Sequence, residues 1–153
     1  TNNYQSYTSG NKREILDINK NEFSLKILPL ICYEIIYSGK LFESNDFDYI
    51  LNISEDGWFG NSIGPYQHFA QNIFRAIESG KYILRSTNNG IAAIINPIGV
   101  VEKKINLNET GYIDFTESRM FNKTLFSQYG NKIFVFIILL YIFLIFSFNR
   151  IKK

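Results

Sequence analysis

The chain has very few of the residues that form covalent or metal cross-links. Its 153 residues include one cysteine, Cys32, and one histidine, His68. A single cysteine excludes an intramolecular disulfide and a CxxC metal site. A single histidine argues against a zinc centre built from cysteine and histidine ligands. Because a lone cysteine is most often a small buried hydrophobe, Cys32 indicates chemistry only if its surroundings are unusual.

No sign of charge dominates the chain, which has 16 Lys and Arg residues against 14 Asp and Glu. This balance provides neither a polybasic surface nor an acidic tail, so we expect no nucleic-acid partner. The polar opening, TNNYQSYTSG, lacks the apolar stretch of a signal peptide. Because the first residue is Thr1 rather than methionine, we expect the chain to be excerpted from a longer protein.

One long run without charge lies near the end of the chain. Residues 133–149, IFVFIILLYIFLIFSFN, are followed by a short basic tail. A run that is apolar on all sides predicts a transmembrane helix, here within residues 131–153, and a buried core helix is the alternative. Basic residues prefer the cytoplasmic side. We therefore expect a cytoplasmic C-terminus, with residues 1–130 on the opposite side, which is the periplasm in a Gram-negative cell.

The remainder of the chain has an α/β pattern. Residues 1–22 are predicted to be a loop, and residues 44–46 a turn. The first helix is predicted to begin after Cys32, at Ile35, and to end near Phe42, and the second to run from Pro65 to a glycine cap at Gly80. Strands are predicted over residues 23–31, 49–53, 82–86, 91–95, 100–105 and 111–115.

Cys32 closes an apolar strand where a helix is predicted to begin. Backbone N–H groups at a helix start favour a negative charge, and a sharp strand-to-helix turn exposes a nucleophile. The N–H of Tyr33 could also stabilise a tetrahedral oxyanion. Glu34 is either solvated or placed for catalysis. On this spacing alone, a structural cysteine is an equal alternative.

Two large aromatic residues, Trp58 and Phe59, lie in a loop rich in Gly, Asn, Asp and Ser. Aromatic residues in such a loop are typical of a binding site or a lid. The alternative is a hydrophobic plug that packs the loop onto the core. His68 is expected to be a structural hydrogen-bonding group, and Arg75 with Glu78 to be a pair on a helix surface.

Five segments occur in the same order as the signatures of one enzyme family. They are LPLICYE at 28–34, NISEDGWFG at 52–60, GPYQH at 64–68, RSTNNGIA at 85–92 with the turn at 97–99, and KTLF at 123–126 with Gly130 and Asn131. These segments resemble the apolipoprotein N-acyltransferases, a membrane branch of the nitrilase superfamily. The chain differs from the usual form at Glu55, where that family carries asparagine.

The resemblance implies a nitrilase-type α-β-β-α sandwich. Residues 1–130 would be the C-terminal part of a carbon-nitrogen hydrolase domain, and residues 131–153 the transmembrane helix with its tail. It also implies an acyl transfer in two steps. A cysteine thiolate takes an acyl chain from a phospholipid, and the N-terminal amine of a diacylglyceryl-cysteine lipoprotein then takes that chain from the thioester. No metal or dissociable cofactor is implied.

The resemblance assigns roles to particular residues. Cys32 matches the nucleophile, and the two residues after it match positions that the family requires for activity. A second group matches positions expected to bind substrate or shape the site. The implied catalytic residues are Cys32, Tyr33 and Glu34, and the implied substrate-binding residues are Trp58, Phe59, Asn88 and Asn89.

One departure from the family concerns its catalytic triad, which adds a glutamate base and a lysine to the cysteine. Both precede the cysteine in the family, and no residue in 1–31 matches the lysine motif. We therefore expect an N-terminal part of the same enzyme to supply them, or the chain to be an inactive fragment. A membrane-tethered amidase that transfers the acyl group to water is a further alternative.

Overall fold

Alternating apolar runs and turns give this chain six strands and three α-helices in a computed structural model that describes residues 8, 10, 12–20, 23–39, 41, 46–116 and 122–151. The strands are β1 (Leu16–Lys20), β2 (Phe23–Ile31), β3 (Tyr49–Glu55), β4 (Tyr82–Asn88), β5 (Ala92–Ile95) and β6 (Val101–Ile105). The α-helices are α1 (Gly64–Ser79), α2 (Leu125–Tyr129) and α3 (Lys132–Ile151), and short 3-10 helices cover Cys32–Ile36 and Gly57–Phe59.

The six strands form one mixed sheet whose spatial order follows the chain from β1 to β6. Strands β2, β3 and β4 are parallel, whereas β1 and the last two strands pair antiparallel with their neighbours. The first 3-10 helix follows β2, and α1 connects β3 to β4. Because the carboxyl ends of parallel strands meet at one edge, the residues after β2, β3 and β4 lie close together.

Helix α1 covers one face of the sheet. Pro65 stands in its first turn, and Gly80 ends it in the left-handed conformation, with φ of 67°. Both residues are typical of these positions because proline needs no hydrogen-bonded N–H and glycine carries no Cβ. The core between α1 and the sheet contains Leu28, Leu30, Ile35, Phe47, Ile50, Ala76, Ile83, Ala93 and Ile95.

The opposite face of the sheet is less well covered. Phe115 packs there with its ring centroid 5.4 Å from that of Tyr49 and 5.2 Å from that of Tyr82. Four large aliphatic side chains of β1, β2 and β3 remain exposed on this face, namely Leu16, Ile18, Ile31 and Ile53. Apolar residues that alternate with buried residues on the α1 side are typical of a sheet packed on both faces.

Much of the predicted pattern is confirmed. Strand β2 has the predicted bounds, and α1 begins one residue before Pro65 and ends at the predicted glycine cap. Proline is unfavourable in an interior strand. Pro29 is tolerated in β2 because the pairing with β1 stops at Ile27, so one edge of β2 is free of β1 at Pro29.

Three local predictions are wrong. Strand β1 lies in the segment predicted to be a loop, and residues 111–115 form no strand. The helix that begins at Cys32 is a single 3-10 segment that ends at Ile36. Its predicted end at Phe42, and residues 44–45 of the predicted turn, lie outside the described residues.

Helix α3 forms where the long apolar run predicted a helix. Its side chains from Phe134 to Phe148 are exposed on all sides. Within the described part of the chain, however, no helix has both the length and the apolar character that crossing a membrane requires. The structure therefore does not support the predicted transmembrane helix.

Candidate active site

Cys32 stands at a strained backbone position between β2 and the first 3-10 helix. Its φ is 49°, in the left-handed region that residues with a Cβ rarely occupy. Such a conformation costs about 1–3 kcal/mol and persists only where surrounding contacts enforce it. The thiol is partly exposed. The chain therefore turns sharply at a cysteine and presents it at the edge where the parallel strands end.

Glu34 braces this turn. One carboxylate oxygen accepts a hydrogen bond from the backbone N–H of Ile31 at 2.7 Å, and the other accepts one from Arg13 at 3.0 Å. Arg13 also donates to the carbonyl of Leu41 at 2.6 Å. Because both of its oxygens are occupied, Glu34 is placed to hold the backbone before Cys32 rather than to take a proton.

A closed ring of buried polar groups lies beneath Cys32. Asn52 donates to the Cys32 carbonyl oxygen at 3.2 Å and accepts from Arg85. Arg85 donates to Asp56 Oδ2 at 2.6 Å. Asp56 Oδ1 lies 2.9 Å from His68 Nδ1, and His68 Nε2 lies 3.2 Å from the Cys32 carbonyl oxygen. The ring thus begins and ends at the same backbone carbonyl.

The sheet register explains how residues far apart in sequence form this ring. Asn52 on β3 is directly opposite Arg85 on β4, and both face α1. Arg85 is also anchored through Nε, which donates to the carbonyl of Ile91 at 3.1 Å. His68 reaches the ring from the first turns of α1, where Asn72 donates to its carbonyl at 3.1 Å. Two strands and one helix therefore hold the network together.

The charges in the ring are mutually dependent. Burial alone would raise the pKa of Asp56, but the hydrogen bond from His68, the charge of Arg85 and the hydrogen bond from Ser54 together hold the Asp56 pKa below its ordinary value. Burial lowers the pKa of Arg85, and the adjacent Asp56 carboxylate opposes that effect. Asp56 is thus a buried carboxylate whose charge is balanced by its neighbours.

The sulfur of Cys32 has a polar neighbour in the same network. The Ser54 hydroxyl lies 3.6 Å from Cys32 Sγ and 2.8 Å from Asp56 Oδ1. Arg85 also interacts electrostatically with Cys32. The network therefore contacts the residue at two points, its carbonyl and its thiol.

A cavity of about 480 Å³ is lined in part by Tyr33, which directly follows Cys32, and by Phe59 and His68. The His68 ring centroid lies 5.2 Å from that of Tyr33 and 5.7 Å from that of Phe59. A larger cavity, of about 1110 Å³, lies between residues 12–15 and 126–132 and contains none of the predicted site residues. The smaller cavity therefore has in its wall a residue next to the candidate nucleophile, Tyr33.

Glu55, which occupies the position of the family's asparagine, connects the loop of Trp58 to β4. One of its oxygens accepts from the backbone N–H of Gly57 at 2.6 Å, and the other accepts from the Asn88 side chain at 2.6 Å. Trp58 itself is 88% exposed. Asn89 has a positive φ of 56° and lies beside Gly57. The loop therefore exposes Trp58 to solvent while hydrogen bonds to Glu55 fix the backbone beside it.

The structure brings most of the predicted site residues to one edge of the sheet. The predictions missed Asn52, Ser54, Asp56 and Arg85, which form the buried network with His68. The sequence signal for them was polar residues at the inward-facing positions of otherwise apolar strands, or directly after such a strand in the case of Asp56. The predicted pair of Arg75 and Glu78 is present, with 2.9 Å between Arg75 Nε and Glu78 Oε2, but Arg75 is buried rather than on the surface and also donates to the carbonyl of Ile36 at 2.9 Å.

No metal site is evident near this network. Within the described residues, no group of three or more His, Cys, Asp and Glu side chains is arranged to hold a metal ion.

Comparisons with known proteins agree with the motifs. The apolipoprotein N-acyltransferase of Rickettsia bellii is 42% identical over 147 residues, which are 95% of this chain and 29% of that protein. The apolipoprotein N-acyltransferase of Rickettsia prowazekii is 47% identical over 112 residues, which are 72% of this chain and 23% of that protein. The chain thus spans less than a third of the length of these relatives. The predicted resemblance to apolipoprotein N-acyltransferases is confirmed.

A solved mutant of the Nesterenkonia AN1 amidase, from the nitrilase superfamily, aligns with a TM-score of 0.49 at 11% identity, over 67% of this chain and 41% of that chain. The sequence profile described as carbon-nitrogen hydrolase matches residues 4–117, which are well over half of the chain. The chain therefore belongs to the carbon-nitrogen hydrolase family.

Proposed function

We propose that this chain carries the nucleophile of an N-acyltransferase of lipoprotein maturation, with Cys32 as the residue that receives the acyl chain. The observation that carries the proposal is the left-handed backbone of Cys32, at the end of a parallel strand and above a buried polar network. A strained cysteine at such a turn is typical of a nucleophile presented for attack. Its curated relatives are named apolipoprotein N-acyltransferases.

The reaction has two half-steps. In the first, the Cys32 thiolate attacks an ester carbonyl of a phospholipid, a thioester forms, and the lysophospholipid leaves as an alcohol after taking a proton. In the second, the N-terminal amine of a diacylglyceryl-cysteine lipoprotein attacks the thioester. An amide forms, the amine loses a proton, and the Cys32 thiol is regenerated.

Several residues take supporting roles in this proposal. Tyr33 contributes its backbone N–H toward the oxyanion and its ring to the cavity wall, while Glu34 braces the turn. Trp58 and Phe59 contact the acyl chain of the substrate, and Asn88 and Asn89 shape the neighbouring turn. We assign the general base and the oxyanion-stabilising lysine to an N-terminal part of the same enzyme, because the Glu34 carboxylate is engaged by Ile31 and Arg13.

We also propose that the enzyme works at the bacterial inner membrane, where both of its substrates reside. The support is the exposed apolar surface of α3, whose main neighbour among the described elements is the short helix α2. A surface of this kind is stabilised by contact with lipid. In this arrangement residues 1–130 face the periplasm, and α3 contacts the acyl chains of the bilayer.

The test measures transfer of a labelled acyl chain from phospholipid to a synthetic diacylglyceryl-cysteine peptide, using the chain joined to the N-terminal part that supplies the base and the lysine, in membranes that lack this activity. We expect transfer by the wild type and none by Cys32→Ala or Cys32→Ser, with unchanged circular dichroism in both variants. Substantial transfer by the alanine variant would refute the assignment of the nucleophile. Release of free fatty acid without transfer to the peptide would instead indicate an amidase-like hydrolase.

A further inference from the structure

His68 holds the backbone of Cys32 as well as contacting a carboxylate. Its Nε2 lies 3.2 Å from the Cys32 carbonyl oxygen, and its Nδ1 lies 2.9 Å from Asp56 Oδ1. The imidazole is almost completely buried. It therefore connects the strained residue to the charged centre of the network. We propose that His68 is a positioning residue for the nucleophile, with an imidazole protonated on both nitrogens, so that Nδ1–H donates to the Asp56 carboxylate and Nε2–H donates to the Cys32 carbonyl.

The position of this contact within the turn explains its effect. The carbonyl of Cys32 belongs to the peptide plane that follows its left-handed φ, so fixing that oxygen fixes the orientation of the turn. Two donors converge on it, the amide of Asn52 at 3.2 Å and the imidazole of His68 at 3.2 Å. Without such contacts a residue with a Cβ would relax toward the right-handed region. The thiol would then lose its fixed direction.

The other side of the imidazole makes His68 rigid. Asp56 holds Nδ1, and Arg85 holds Asp56 from its other oxygen at 2.6 Å. Tyr33 and Phe59 pack against the ring. A side chain held by hydrogen bonds and by ring contacts can transmit the position of the buried network to the turn above it.

Two competing roles can be separated with isosteres. The amide nitrogen of asparagine occupies approximately the position of Nδ1, and that of glutamine the position of Nε2. His68→Asn thus keeps a donor for Asp56 and removes the one for Cys32, whereas His68→Gln does the reverse. If His68 merely neutralises a buried carboxylate, asparagine is the better replacement. If it positions Cys32, glutamine is.

The proposal rests on Cys32 being the nucleophile, but its test does not require acyl transfer. Cys32 is the only cysteine, so alkylation by iodoacetamide, followed by intact mass spectrometry of the protein in detergent, reports on this thiol alone. We expect His68→Asn to slow alkylation about tenfold, the effect of losing one buried hydrogen bond, and His68→Gln to remain within about threefold of wild type. Ser79→Ala, which removes a buried hydrogen bond to the Arg75 carbonyl on the same helix, should leave the rate unchanged.

Thermal unfolding of the same variants shows whether each of them is folded when its alkylation rate is measured. Wild-type alkylation rates in both His68 variants would overturn the proposal, as would a slow glutamine variant beside a fast asparagine variant. A failed acyl-transfer assay with this alkylation pattern intact would refute the proposed function and leave the positioning role standing.

A second measurement covers the case in which both variants fail to fold. His68 is the only histidine, so the untagged wild-type protein with ¹⁵N-labelled histidine gives one set of imidazole signals. We expect a protonated Nε2 whose hydrogen exchanges slowly with water. An Nε2 without a proton could not donate to the carbonyl and would overturn the proposal.

Discussion

The proposed nucleophile, Cys32, lies above a network of buried polar residues. Cys32 alone would indicate little, since a single cysteine is usually a packing residue. Its left-handed φ, together with two donors on its carbonyl, distinguishes it from such a residue. Burying a polar network costs free energy unless every polar group in it has a hydrogen-bond partner. The hydrogen bonds of the network therefore maintain the strained backbone conformation of Cys32.

Replacing Asp56 by asparagine should lower the free energy of unfolding by about 3–5 kcal/mol, because it leaves the buried Arg85 without its charge partner. The native-state pKa of Asp56 lies below its ordinary value, so its contribution is present above that ordinary value and is lost as pH falls through the lower native one. When the free energy of unfolding is measured with denaturant between pH 3 and 7, it should fall less steeply toward low pH in Asp56→Asn than in the wild type. The exposed carboxylate variant Asp48→Asn serves as the control, and an equal change there would contradict the assignment.

At the scale of elements, the end of α1 depends on one glycine. Gly80 has φ of 67°, and a Cβ at this position would lie 2.9 Å from Thr124 Cγ2. Gly80→Ala should therefore lower the free energy of unfolding by about 1–2 kcal/mol. Gly80→Asn meets the same contact but tolerates the left-handed conformation better, so it should cost less. Equal losses measured by urea unfolding would mean that the steric contact, and not φ, matters.

The loop of Trp58 is a second element with a specific anchor, the Glu55 carboxylate. Glu55→Ala frees the N–H of Gly57 and the side chain of Asn88, so the tryptophan should move more freely. Because Trp58 is the only tryptophan, time-resolved fluorescence anisotropy reports on it directly, and we expect a larger fast component. Glu109→Ala, which removes similar bonds to Asn106, should leave the decay unchanged. An unchanged decay in Glu55→Ala would show that the anchor does not restrain the loop.

At the scale of the whole molecule, local patterns predicted the elements better than the contacts between them. The bounds of β2 and the cap of α1 follow from residues close in sequence. Strand β1 was missed because its residues are exposed, and only pairing with β2 makes them a strand. The buried network could not be predicted, because the sheet register and the path of α1 decide which polar residues meet. The motif resemblance identified Cys32, whereas the structure shows what holds it.

Exposed apolar surface on α3 and on the open face of the sheet has a consequence for behaviour in solution. Patches of this size favour self-association in water. We expect the isolated chain to form large oligomers or precipitate in plain buffer and to become monodisperse in mild detergent, as measured by analytical ultracentrifugation. A folded monomer in plain buffer would contradict the proposed lipid contact of α3.

The central claim is that Cys32 carries an acyl chain as a thioester. We would test it by intact mass spectrometry of the folded protein, joined to the N-terminal part that supplies the base and the lysine and incubated with phospholipid in detergent. We expect a mass increase of one acyl group that maps to Cys32 and disappears on treatment with neutral hydroxylamine. No adduct in a sample shown to be folded, or an adduct on another residue, would contradict it.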